Sequence, residues 1–171
     1  MEIKSQIELA DKFMAEPKLL SGDPPEFGPM KDGRHGLTRT ANWPVSSLDG
    51  VVRTGRLQVK YAPSQKAFII ALIFRDECVT RIDFVEMAIC HSNPLWSARL
   101  GLPSDVCGPH FHQWELNRGN ILHQETWSLE ARVPLQPQIR RFDQAFAWMA
   151  DQINLNLTAE QRVFNIPQEL V

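Results

Sequence analysis

The stretch CGPHFHQWELN, residues 107–117, holds two of the chain's five histidines, His110 and His112, with only Phe111 between them. Residues two apart on a strand point to the same side. Read as a strand, 110–116 puts His110, His112 and Trp114 on one face and Phe111, Gln113 and Glu115 on the other. Two neighbouring imidazoles have three readings. They form a hydrogen-bonded strand face, they ligate a metal, or they move protons near neutral pH.

For the metal reading, zinc takes imidazole nitrogen and thiolate sulfur in a tetrahedral shell. Cys90, Cys107, His110 and His112 supply four such ligands, with His91 close by, although C-x-x-H-x-H is not a finger spacing. For the metal-free reading, cleavage at an RNA 2'-hydroxyl needs a base, an acid and a cation for the phosphorane charge. His91, His110 and His112 supply the first two and Arg81 or Arg75 the third. Asp83 would orient an imidazole, as carboxylates do elsewhere. His35, in a Gly-rich loop, and His123, on an expected return strand, are weaker candidates. Several familiar patterns are missing: GxxxxGK[ST], GxGxxG, HExxH, GxSxG and the deaminase HxE…PCxxC. The histidine-triad hydrolases fail at Trp114, which stands where their third histidine would. The two HxT or HxS motifs of the two-histidine phosphoesterases fail as well.

The elements that must position these groups read as follows. Residues 1–16 form a helix, with Ile3, Ile7, Ala10 and Met14 on one face. Residues 17–36 are a Pro/Gly-rich loop. Residues 37–133 form a sheet. Within it Val52, Leu57, Val59 and Tyr61 alternate, Gly55 marks a possible bulge, and KAFIIALIF is a buried central strand. In ECVTRIDFVEMA, Val79, Arg81, Asp83 and Val85 share one face. A second long loop, 91–109, carries Leu95, Trp96, Leu100 and Leu102, which read as a lid, a partner-binding patch or, by default, a loop tucked over the core. PHFHQWEL and ILHQETWSLEA then make a hairpin turning at NRGN. Residues 138–171 are helical: Phe142, Ala145, Phe146, Met149 and Ile153 keep helical spacing, and Thr158 with Gln161 suggests a capping box. The fold class expected is α+β, one domain with a curved, mainly antiparallel sheet.

Composition narrows the setting. The 171 residues are 43% hydrophobic and 22% charged, as in a globular domain. No apolar run is long enough for a membrane helix, and residues 1–18 lack a signal-peptide core, so the expectation is a cytoplasmic protein without a membrane partner. Three cysteines at irregular spacing do not read as a disulfide framework. The net charge of -2 argues against a general nucleic-acid coat, yet residues 31–81 carry nine basic side chains against four acidic ones. The default reading of this region is a solvated sheet face. The sharper one is a surface for an anionic partner, RNA or an acidic protein, with Arg53, Arg56, Lys60 and Arg75 as candidate contacts.

The ordered set Arg81, Asp83, His91, Asn93, Pro94, Pro109, His110 and His112 carries a resemblance. RID, HSNP and PHFH, followed by an aromatic-rich helix, resemble the TumE-like toxins of bacterial toxin–antitoxin pairs. They are similar also to a related bacterial family with an RxD…HxNP…GPHxH layout. The match covers about the middle quarter of the chain, plus the helix at 140–155 in outline. The resemblance implies an RNA-directed toxin, a metal-independent ribonuclease with no cofactor, and a cognate antitoxin as partner. The alternatives are a zinc-dependent hydrolase, or a non-catalytic protein-interaction factor in phage defence or counter-defence.

Overall fold

The computed structural model describes residues 2–33, 36–48 and 55–166. It is a single α+β domain with an open, mostly antiparallel sheet. The strands are β1 (Lys18–Leu20), β2 (Lys31–Gly33), β3 (Gly36–Ser47), β4 (Gly55–Ala62), β5 (Ala67–Phe74), β6 (Glu77–Phe84), β7 (Cys90–Ser92), β8 (Asp105–Cys107), β9 (His110–His112), β10 (Val133–Pro134) and β11 (Leu155–Asn156). The helices are α1 (Ile3–Ala15), α2 (Trp114–Gln124), α3 (Phe142–Gln152) and α4 (Ala159–Arg162). The main sheet runs β10-β9-β6-β5-β4-β3-β1-β11, with β2 paired to β3; among the described residues only β1·β11 is parallel. β7 and β8 form a separate two-stranded sheet.

Residue patterning explains the layers. In β4, Leu57, Val59 and Tyr61 are buried, while Arg56, Gln58 and Lys60 turn to the other face. β5 is apolar on both faces and lies near the middle of the sheet. α1 and α3 cover one face: Phe13 stacks on Phe74 at 4.5 Å, and Phe142 meets Phe68 at 5.1 Å. Helices α1 and α3 form as the spacing predicts, with Ile7, Ala10, Phe13 and Met14 buried on α1 and Phe142, Ala145, Phe146 and Met149 on α3. Residues 138–171 are not helical throughout, because Leu155–Asn156 pairs with β1 as β11. Thr158 and Gln161 do close a capping box on α4.

Gly55 serves packing rather than a bulge. A Cβ there would sit 2.5 Å from Phe13 Cζ. Phe13 is buried and held by Phe74, so it has little room to yield. Gly55→Ala should therefore destabilise the fold by about 1–3 kcal/mol, the usual effect of overpacking. Urea unfolding of the two proteins measures it, and unchanged stability would mean the α1–sheet contact is looser than described.

Four expectations fail. First, the 17–36 segment is not all loop. It contains β1 and β2, three-residue strands that exist because β3 and β11 hold them, too short to show a period of their own. Second, the sheet does not run through 133. Trp114–Gln124 is helical, so NRGN is no hairpin turn and ILHQET no complete return strand. Tertiary packing decides this: Trp114, Asn117 and Ile121 are the buried face of α2. Asn117 Nδ2 donates to the Gln113 and Ala131 carbonyls, and its Oδ1 accepts from Ala131 N. Trp114 thus leaves the His110/His112 face, and its indole donates to Asp11 Oδ1 at 2.7 Å.

Third, the cysteines are not all free thiols. Cys90 and Cys107 are directly opposite on β7 and β8 and form a disulfide. The irregular spacing hid a pair that a small hairpin brings together across 17 residues. Fourth, the 91–109 segment does not bury its apolar residues uniformly. Leu95 is 96% exposed, and Leu100 and the nearby Met87 are also open. Among the described residues, no helix is long and apolar enough to cross a membrane.

Candidate functional site

β6 and β9 are neighbours, and their register builds the site. Arg81 is the cross-strand partner of His112, and Asp83 of His110. Partners on adjacent antiparallel strands lie side by side on one face. That face is the one turned away from α1 and α3, because Ile82 and Phe111, the alternate pair, enter the core. The sequence's two strongest signals, R-x-D and H-x-H, are thus one cluster. A side-chain bond from β6 to β9 supports it: Thr80 Oγ1 donates to the His112 carbonyl at 2.8 Å.

Asp83 is the centre. Its Oδ2 lies 3.5 Å from His110 Nε2 and 3.3 Å from His112 Nε2. Its Oδ1 lies 3.0 Å from Arg81 Nε, an ion pair without the linear approach of a hydrogen bond. Arg81 also brings a terminal nitrogen to 3.3 Å from His112 Nε2. Burial is graded. His110 and His112 are 1% and 0% exposed, and the Asp83 and Arg81 side chains 14% and 35%. Arg81 is therefore at the mouth and the histidines are at the floor.

The electrostatics follow from this grading. Burial alone would raise the Asp83 carboxyl. The His110 and His112 rings and the Arg81 charge outweigh it and hold Asp83 well below the usual carboxylate range. Burial pushes His112 down to about 4, against the Asp83 carboxylate, which raises it. His112 is accordingly neutral at pH 7. His110 Nδ1 lies 2.8 Å from the Gly108 carbonyl, which can only accept, so that nitrogen carries a proton. His112 Nδ1 is buried with no hydrogen-bond partner.

The β7–β8 hairpin delivers His91, whose ring meets the His110 ring edge-on at 5.2 Å. His91 is exposed, and its ring is pushed down from its ordinary value by partial burial, then by the His110 and Arg132 charges. Asn93 anchors this hairpin. Its Nδ2 donates to the Pro103 and Arg132 carbonyls, and its Oδ1 accepts from Arg132 N. The Cys90–Cys107 bond closes the hairpin beside His91. All three histidines of the expected set, with Arg81 and Asp83, therefore converge.

Other expected residues do not join them. Arg75 sits with a left-handed backbone in the β5–β6 turn, at the opposite end of β6 from Asp83. Arg56 pairs with Asp76 beside that turn at 2.9 Å. Lys60 lies on the cluster's face but two strands away from β6, opposite Ile69, which is opposite Asp83. His123 is in the last turn of α2, not on a return strand. Arg53 and His35 fall outside the described residues. The Cys90, Cys107, His110, His112 ligand set is overturned, because the two sulfurs are bonded to each other and offer no thiolate. A metal, if held here, would use Asp83, His110 and His112, whose donor atoms lie within 4.8 Å of one another.

One member was missed. Arg132 donates to the Ser92 carbonyl and lies near enough to Arg81 and Asp83 to feel both charges. Its own value is lowered, first by burial and then by Arg81. No motif marks it, since it follows α2 in an irregular segment. The chain was compared with protein-family models, with curated proteins and with solved structures, and matches none.

Proposed function

We propose that the protein is a toxin-like bacterial ribonuclease that cleaves RNA by metal-free acid–base chemistry at this cluster. One observation carries the reading: cross-strand pairing of β6 with β9, capped by the β7–β8 hairpin, gathers Arg81, Asp83, His91, His110 and His112. The role of His91 follows from its exposure, and those of the buried His110 and His112 from their contacts with Asp83. His91, open and biased toward the neutral ring, accepts the 2'-hydroxyl proton as oxygen attacks phosphorus. Arg81 and Arg132 at the mouth meet the phosphorane charge. His110, on Asp83, returns a proton to the departing 5'-oxygen. His112 stays neutral and fixes Asp83. Removing one proton-transfer group normally lowers rate by about 10²–10⁴.

The test is cleavage of a mixed-sequence RNA by chelator-treated protein. His91→Ala should lose at least about 100-fold, with its melting temperature retained because His91 is exposed. Equal cleavage by wild type and His91→Ala removes His91 from the mechanism. Equal cleavage by His112→Ala removes His112 from it.

A second reading has its own observation. Leu95, Leu100 and Met87 expose apolar surface around the hairpin. In a non-catalytic interaction protein these side chains would meet a protein partner, and the polar cluster would only fix the hairpin. His112→Ala then lowers melting temperature and changes no activity. In the ribonuclease reading the same surface is where an antitoxin would sit.

A further inference from the structure

We infer that Asp83, His110 and His112 also form a site for a divalent transition-metal ion, with zinc the first candidate. This goes beyond the proposed RNA chemistry and does not depend on it.

His110 gives the first argument. Its Nδ1–H is committed to the Gly108 carbonyl at 2.8 Å. Nε2 of the neutral ring is then a lone pair. It faces Asp83 Oδ2 at 3.5 Å, which is also an acceptor. Two acceptors facing each other in a buried site call for a cation between them, either a second ring proton or a metal ion. A ring proton donated to a backbone carbonyl is also how metal-bound histidines are oriented.

Asp83 gives the second argument. Arg81 engages Oδ1, so Oδ2 is turned toward both rings, with His112 Nε2 at 3.3 Å. Two imidazole nitrogens and one carboxylate oxygen suit zinc or another borderline first-row ion. Magnesium and calcium prefer shells of oxygen alone. Three protein ligands leave a position open for water. The competing cation is Arg81, 3.3 Å from His112 Nε2. Its side chain is 35% exposed, so it has solvent to swing into when an ion enters.

A bound ion would displace the Nε2 proton that His110 gives in the acid–base route and take the Asp83 oxygen that holds it. Zinc is therefore expected to inhibit cleavage.

The experiment titrates chelator-treated protein with zinc sulfate and counts bound zinc by elemental analysis, with cobalt(II) absorption as a second probe. Wild type should bind one zinc per chain. Asp83→Asn, which keeps the side-chain shape, and His110→Ala should each weaken binding more than about 100-fold, beyond the 10–100-fold typical of residues behind the ligands. A Cys90→Ser/Cys107→Ser double variant should bind as wild type. Absence of stoichiometric zinc in folded wild type overturns the inference. So does retention in both ligand variants, or loss in the cysteine variant. RNA cleavage is read separately. Inhibition by bound zinc leaves both readings standing. A requirement for zinc keeps the site and removes the metal-free mechanism. Cleavage by a protein that binds no zinc removes only the metal site.

Discussion

Asp83→Ala should lower the melting temperature by roughly 6–12 °C. The substitution deletes the one group that faces His110, His112 and Arg81 together. Without it the guanidinium and two buried imidazoles face one another with no counterpart. Removing one partner of a buried ion pair typically costs about 3–5 kcal/mol. Arg81 is about one-third exposed and can recover some hydration, so the lower end, about 3 kcal/mol, is the expectation. At about 2–4 °C per kcal/mol for a chain of this size, that gives the stated shift. Asp83→Asn separates charge from shape. Its amide can donate to a ring nitrogen but can no longer balance Arg81, so it should fall between wild type and alanine. Thermal melts of the three proteins at pH 7 decide this. A loss below about 1 kcal/mol for alanine would mean that water, not Asp83, balances the cluster.

How much of this was legible depended on whether the signal was local. Alternation in RID and in HFH correctly put each pair on one face, because period two is a property of the strand itself. That the two faces are adjacent was not legible. The register Arg81↔His112 joins residues 31 apart in sequence, and nothing local encodes that closure. The α2 error has a different origin. NRGN carries turn residues, and the helix's polar buried member, Asn117, hides the apolar stripe that Trp114 and Ile121 would otherwise mark. Its i, i+3, i+7 spacing was the available signal. Arg132 had no signal, since its position depends on Asn93 reaching across 39 residues to hold its backbone. The Cys90–Cys107 bond likewise required knowing that β7 and β8 pair.

Lowering the pH from 7 to 5 should reduce the unfolding free energy by about 2 kcal/mol through His112 alone. The sign follows from the depressed value. An unfolded histidine takes its proton near 6.5, whereas burial holds His112 at about 4 in the fold. Between these values the unfolded chain binds the extra proton, so acid favours unfolding. The contribution is fully present above about 6.5 and is lost as pH falls toward 4. Asp83 acts in the same direction but lower. Its carboxyl is held well below 3.8, so its contribution is present above that value and fades only in stronger acid. Urea unfolding from pH 7 to pH 4.5 measures the first window with little of the second. His112→Gln, which cannot take the proton, should flatten that window while leaving the acid limb. Stability that rises on acidification would show the opposite, a His112 charged in the fold and bonded to Asp83. That outcome would also reassign the chemistry. An imidazolium at His112 would be available as the acid at neutral pH, and His110 would no longer be needed for that step.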